Sequence, residues 1–366
     1  MVKKVAVLGA GHGGAAFAGH LTLKGFEVAL YEHPKFKKNI DEIREKGGVE
    51  LIGAVEGFGK LSSATTEMKD VLPGADIIMV TVPAFAQMTF MEAALPYLEN
   101  GQLAVFNPDN FASLAFKEML RKKGIKKDIK IAGTASLMYA CRKAAPARVN
   151  IFGVKDTMPV AALPSAATGS IIPPLKELFS QFTPAKNVLE MGFANMNMII
   201  HCPTAVLNAG RIEDTRGNFM FYWQGMTESV CRVMEKNDEE RVKVGEKLGL
   251  KVLSTHETLK QFYSYEKAGV DLHDFLVHSR VHGGHGPDAP SDLYHRYIRE
   301  DVPCGLVPVS SFGKLLGVPT PSIDAIILLS SIMNKTDYFK EGRTIEKMGL
   351  SGMSAREILE YCEKMA

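Results

Sequence analysis

An α/β fold in two domains, a doubly wound parallel sheet followed by an all-helical half, is predicted by three observations. The chain opens with strand, glycine turn, helix and second strand within residues 3–34. Short apolar runs ended by turn residues then recur to about residue 164. Beyond residue 187 the apolar pattern changes to helical spacing. A chain of 366 residues is long enough for two cores of ordinary size, and the expected domains are 1–187 and 188–366.

The opening stretch is "KKVAVLGAGHGGAAFAGHLTLKGFEVALYEHP". Gly9, Gly11 and Gly14 form G-x-G-x-x-G between a strand and a helix. The first glycine permits the tight turn, the second lets the backbone approach a pyrophosphate, and the third lets the helix lie close on the sheet. Free N–H groups and a positive dipole end then face the phosphates at the helix start. This is the Rossmann-type dinucleotide-binding pattern, with His12 and Gly13 inside the turn and Glu32 closing the second strand. Glu32 stands where a carboxylate accepts from the adenosine ribose, which favours NAD. Lys35, Lys37 and Lys38 follow closely and keep NADP open.

Three further runs, "ADIIMVTVP" (75–83), "LAVFNP" (103–108) and "IKIAGT" (129–134), read as buried parallel strands. Val82 and Pro83, ending the first of these, are expected to line the cofactor. "VNIFGVKDTMPVAALP" (149–164) reads as a closing hairpin or strand pair.

The second half begins with "NMNMIIHCPTAVLNAGRI" (195–212). Read as a helix, it sorts Asn197, His201, Thr204, Asn208 and Arg211 onto one line, with apolar residues over nearly all the rest of the cylinder. No face looks made for open water, and Pro203 should bend the helix near His201. On the residues alone, a core histidine held by a carbonyl and a reactive histidine fit equally well. Further helices are expected over 220–250 and after 310. A helix starting near Ser291 would end on Glu300 and Asp301, where the dipole disfavours carboxylates, and a broken local rule of this kind often marks function.

Four histidines, at 278, 282, 285 and 295, invite a metal reading. Gly283, Gly284, Gly286 and two prolines make their segment a loop without ligand spacing, so no metal is expected. A net charge of +2 argues against a nucleic-acid partner, and the basic clusters read as solvated surface. The five cysteines lack a C-x-x-C pair and read as reduced thiols of a cytoplasmic protein. "MVKK" followed by apolar residues imitates a signal peptide, but glycines interrupt the apolar core. No apolar run approaches the roughly 20 residues that span a bilayer.

The glycine motif with His12, "FNPDNFASL", "SLMYACR" (136–142), the His201 helix and "RYIREDVPCGLVP" (296–308) together resemble the opine dehydrogenases, the octopine and nopaline dehydrogenase family. The resemblance runs from residue 5 to about 330. It implies a Rossmann-type domain, an all-helical second domain, and NAD(P)H-dependent reductive condensation of an amino acid with a 2-oxo acid. It also implies that His201 is the catalytic histidine, Asp301 its orienting acid and Arg296 the basic residue that holds a substrate carboxylate. Asn110 and Ser136 match substrate contacts. The chain departs from the family pattern where octopine-type members carry an acid before the "ACR" stretch, since Ala135 stands there, followed by Ser136 in place of a frequent threonine. Neutral amino acids are therefore expected over cationic ones. Asp109 and Ala112 also stand where the family tends to have glycines. The implied partners are small molecules, with a homodimer as the assembly allowed for.

Two alternatives compete with this reading. A hydroxy-acid or sugar-phosphate dehydrogenase of the same architecture would rely on a lysine in the second domain's first helix, and none occurs from Asn187 to Arg211. An NAD(H)-sensing protein has no need of the His201, Asp301 and Arg296 set.

Overall fold

Val5, Val7, Leu30, Ile77, Met79 and Val105 are almost completely buried, as expected of apolar residues on parallel strands covered on both faces. The computed structural model describes all residues except 265, 267, 268, 283–286, 365 and 366. Two compact units result, Met1–Met191 joined by the end of the chain from Cys362, and Gly192–Tyr361.

The strands of the first unit are β1 (Lys4–Leu8), β2 (Glu27–Tyr31), β3 (Gly48–Gly53), β4 (Gly57–Lys60), β5 (Ser63–Thr65), β6 (Ile77–Val80), β7 (Leu103–Phe106), β8 (Lys130–Thr134), β9 (Tyr139–Ala145), β10 (Arg148–Val154), β11 (Met158–Leu163) and β12 (Phe182–Pro184). Its helices are α1 (His12–Leu23), α2 (Lys38–Lys46), α3 (Ala84–Ala94), α4 (Ala112–Lys122) and α5 (Thr168–Leu178). Among the described residues, eight strands form one sheet in the order β12-β11-β8-β7-β6-β1-β2-β5. All neighbours in it are parallel except β8 and β11. From β1 the chain builds outward through β2 to β5, then returns to add β6 on the other side. The switch point between β1 and β6 is where a doubly wound sheet opens a crevice at its strand ends.

A second sheet, ordered β4-β3-β10-β9, was not anticipated. It corrects the expectation for 149–164: β10 pairs with β9 and β3, whereas β11 pairs with β8 and β12 in the large sheet. The two strands are consecutive but never partners. Helix α1 explains how both sheets share one core. Its residues from Gly13 to Gly19 are all buried, so it is apolar all round rather than striped. Phe17 meets Tyr139 edge-on at 4.9 Å, and a side chain at Gly59 would collide with the Gly19 backbone.

The remaining helices are α6 (Val188–Ala194), α7 (Asn197–Leu207), α8 (Ala209–Thr215), α9 (Phe221–Gly225), α10 (Glu228–Lys247), α11 (Thr255–Phe262), α12 (Leu272–His278), α13 (Arg296–Arg299), α14 (Val307–Leu316), α15 (Pro321–Asn334), α16 (Tyr338–Glu341) and α17 (Ala355–Lys364). In the second unit α7 is the buried axis, with Met198 to Val206 all inside. Leu207 is an exception to the expected burial, being exposed at the helix end. Helix α10 carries a buried ion pair in which Arg241 donates to Asp238 at 2.9 and 2.7 Å. Asp238 accepts in turn from the backbone N–H and hydroxyl of Thr255 at 2.6 and 2.7 Å, so the buried charges are hydrogen-bonded as such burial demands. Glu240 accepts from the N–H groups of Ser322 and Ile323 at 3.1 and 3.0 Å, seating a carboxylate on the start of α15.

The helix expected from Ser291 is absent. Asp292 Oδ1 accepts from the Tyr294 N–H at 2.8 Å, an Asx-type turn. The helix starts only at Arg296, capped by the His295 ring, and lasts four residues. Asp301 then precedes a π-helical turn, Val302–Leu306. It therefore stands between helical segments rather than at the negative end of a long helix.

Candidate active site

In the first unit the glycine turn follows β1 as its sequence requires. Gly9 has φ +105°, open to glycine and strained for other residues. A Cβ on Gly14 would run into the Gly9 carbonyl oxygen, whereas one on Gly11 would meet open space. Val82, just beyond β6, packs on Gly9, and Leu137 lies against Gly13. Pro83 caps the start of α3. These residues fit a dinucleotide: a cradle left unfilled at Gly11, at the N-terminus of a twelve-residue helix. His12 Nδ1 accepts from the Lys143 backbone N–H at 2.9 Å, which leaves Nε2 to carry the proton. Glu32 is only 4% exposed. Its Oε2 accepts from the Ala10 N–H at 3.0 Å and its Oε1 from the His33 N–H at 2.8 Å. The carboxylate thus braces the glycine turn.

Asn110 and Ser136 belong to two neighbouring loops of this unit, both buried. Thr134 joins these loops, its hydroxyl lying 3.1 Å from Asn107 Oδ1 and 2.8 Å from the Ser136 carbonyl oxygen. Asp109 fastens the first loop by accepting from the Ser113 N–H and hydroxyl at 2.9 and 3.0 Å. Asn110 has φ 45°, a conformation asparagine tolerates better than most residues. Ala135 is fully buried. Lys155 is buried behind the second loop, donating to the Leu137 carbonyl at 2.7 Å, and burial lowers its pKa to about 7.

The second unit brings His201 and Asp301 together. His201 Nδ1 lies 2.8 Å from Asp301 Oδ2, with the two side chains 8% and 1% exposed. Gly305 allows this: a Cβ there would come within 2.7 Å of Met198 Cβ, so the π-helical turn lies flat on α7 only because residue 305 has no side chain. Burial raises the Asp301 carboxyl to about 7, against the pull of Arg296.

Arg296 is not the ion-pair partner of Asp301. Its Nε lies 2.8 Å from Glu300 Oε2, with the arginine side chain 42% exposed. Glu300 foremost, then Asp301, Tyr297 and Tyr222, raise its pKa still further above its ordinary range. The guanidinium therefore stays charged within the field of the pair.

Tyrosines complete the surroundings of His201, and no sequence signal singled them out. Tyr297 stacks on the imidazole at 4.0 Å between centroids and 25° between planes. Tyr222 Oη is 3.0 Å from Nε2. Tyr222 comes from α9, and the polar line of α7 and α8 holds that helix in place. Asn208 donates to the Gly225 carbonyl at 2.9 Å and Arg211 to the Gln224 carbonyl at 3.0 Å. Trp223, next along α9, is 40% exposed.

Among the described residues no group of three or more histidine, cysteine or acidic side chains could hold a metal ion. His278 pairs with Asp274 and His282 lies 2.9 Å from the Ser279 hydroxyl, while His285 falls outside the described residues. The five cysteines are not joined in disulfides, and no helix among the described residues is long and apolar enough to cross a membrane.

Residues 184–334 match the family described as NAD/NADP octopine/nopaline dehydrogenase, alpha-helical domain. Residues 4–130 match the N-terminal domain of NAD-dependent glycerol-3-phosphate dehydrogenase. An opine dehydrogenase of Arthrobacter sp. (strain 1C) is 34% identical, covering 99% of both chains. An opine dehydrogenase of Haliotis discus hannai is 27% identical over 89% of both. The fold is also that of octopine dehydrogenase solved with NADH and L-arginine, at TM-score 0.75 and 20% identity over 98% of both chains.

Proposed function

The chain belongs to the opine dehydrogenase family, NAD-dependent oxidoreductases, and from that premise we propose that it joins an amino acid to a 2-oxo acid and reduces the resulting imine to a secondary amine. The observation that carries this reading is the buried His201–Asp301 pair with a charged arginine in its field. Imine formation needs a base to neutralise the amine and an acid to release water at near-neutral pH. Asp301 holds the Nδ1 proton, so the exchange runs by way of Nε2, in the manner of triad chemistry. Arg296 presents its remaining N–H donors to a substrate carboxylate. Asn110 and Ser136 are assigned to the 2-oxo acid. NAD(H), held by Gly9, Gly11, His12, Gly13, Gly14, Glu32, Val82 and Pro83, supplies the hydride for the imine carbon when bound.

The test is oxidation of NADH and NADPH with a panel of 2-oxo acids, each with and without a panel of amino acids. Oxidation that requires both partners is expected. Ala135, lacking the carboxylate that would receive a guanidinium, favours neutral amino acids over arginine and lysine. Turnover with a 2-oxo acid alone, undiminished when the amine is withheld, would make the protein a hydroxy-acid dehydrogenase instead.

A further inference from the structure

Nε2 of His201 is already engaged. Its Nδ1 lies 2.8 Å from Asp301 Oδ2, Tyr297 covers one face of the ring, and Tyr222 Oη stands on Nε2 at 3.0 Å. His201 is buried, whereas Tyr222 is half-buried. In the tautomer that donates Nδ1–H to the Asp301 carboxylate, Nε2 can only accept, so the tyrosine hydroxyl donates to it.

Two arrangements would reconcile this with proton transfer: the tyrosine moves aside, or it carries the proton. The anchoring of α9, together with the packing around the Tyr222 ring, favours the second. Besides the bonds from Asn208 and Arg211 at its C-terminal end, the Phe221 N–H donates to Asp288 at 2.7 Å and the Met220 N–H to Gln224 Oε1 at 2.9 Å. The helix backbone is thus a fixed mount, and Phe221 and His282 pack against the Tyr222 ring itself at 5.5 Å each, which holds the hydroxyl on Nε2. The charge of Arg296 also reaches Tyr222, and a fixed cation favours negative charge developing on the oxygen as its proton moves.

We propose that Tyr222 Oη is the atom that exchanges protons with the substrate, His201 and Asp301 acting through it. The proposal rests on the imine-forming reading above. As the amine is neutralised, its N–H bond breaks and the proton passes to Tyr222 Oη, while the hydroxyl proton passes to His201 Nε2. The neutral nitrogen then attacks the carbonyl carbon, the C=O π pair moves to oxygen, and one N–H proton passes to that oxygen, giving the carbinolamine. As the carbinolamine loses water, its C–O bond breaks with the electron pair leaving on oxygen. That oxygen takes a proton from Tyr222, which recovers one from Nε2, and the nitrogen lone pair closes the C=N bond. The proton taken from the amine leaves with the water, and the relay returns to its starting state.

Tyr222→Phe keeps the ring and deletes the hydroxyl. With the active substrate pair, kcat is expected to fall about 100-fold, KM for both substrates to stay within about twofold, and the proton inventory in mixed H2O and D2O to change from curved to linear. Undiminished or raised turnover in Tyr222→Phe would show Nε2 working directly and overturn the relay. NMR of the wild-type protein with 13Cζ-labelled tyrosine gives a second decision that needs no variant: the Tyr222 signal should follow the titration of His201, and a signal that stays flat through it also overturns the relay. If the wild type oxidises NADH with no substrate pair, the reading of the function fails and takes the relay with it. An active wild type beside an unimpaired Tyr222→Phe removes the relay alone.

Discussion

His201 Nδ1 and Asp301 Oδ2 lie 2.8 Å apart although 100 positions separate them in the chain. Both are buried, and the contact joins the central helix of the second unit to the turn that follows α13. Replacing either member therefore removes a chemical partner from the other.

His201→Ala should lower turnover by about 100-fold or more, since acid–base groups typically contribute 10²–10⁴, with NADH affinity nearly unchanged. Asp301→Asn should lower it similarly, and the double variant should be little worse than the worse single one. Turnover and melting temperature measured on the same His201→Ala sample check this. A large loss of stability with near-normal turnover would return His201 to the core.

Gly305→Ala probes the same pair without touching it. The new methyl group meets Met198 Cβ, so the π-helical turn must lift from α7. Overpacking of this kind costs about 1–3 kcal/mol, and Asp301 moves with the turn. Stability and kcat should both fall, while Gly317→Ala, at a helix C-cap with open space around it, should cost stability through its left-handed backbone and spare kcat.

Glu32→Ala should weaken NADH binding more than NADPH binding, because it deletes the ribose acceptor together with the repulsion of a 2′-phosphate. It should also lower stability by about 1–3 kcal/mol, since the Ala10 and His33 N–H groups lose their acceptor. Titration of both cofactors beside a denaturant melt separates the two effects. Equal weakening for both cofactors would remove Glu32 from the ribose site.

Two buried groups should tilt stability with pH in opposite directions. Asp301 rises from 3.8 to about 7 by burial, so between those values the folded protein keeps a proton that the unfolded chain has lost. Raising pH through that window lowers stability. Lys155 falls from 10.5 to about 7 by burial, so above pH 7 the unfolded chain holds the extra proton and raising pH restores stability to the first unit. Denaturant melts across pH 4–10 should lose the first slope in Asp301→Asn and the second in Lys155→Met. A slope unchanged by its own variant would mean that another group carries it.

The glycine turn was legible in the sequence because its geometry is local: Gly9, Gly11, Gly14 and Glu32 fall within one strand–helix–strand unit. His201 and Asp301 could be paired beforehand only through the family resemblance, since nothing local links residues 100 positions apart. Strands β3 and β4, "GVELIG" and "GFGK", escaped notice because glycine hides their alternation. The run 149–164 imitates a hairpin, but long-range pairing sends β10 and β11 to different sheets. Asp292 imitates a helix cap while serving a turn. Tyr222 left no signal because Asn208 and Arg211 hold its helix by backbone carbonyls, which every residue possesses.

The short helix α9 has an optical consequence. Trp223 is the single tryptophan of the chain and follows Tyr222 on that helix, 40% exposed. All indole emission of this protein thus originates one residue from the hydroxyl that meets His201. A quencher in solution, or a substrate analogue that covers α9, can be followed by emission without attaching a dye, and the colour of that light reports how wet this corner of the second unit is from moment to moment.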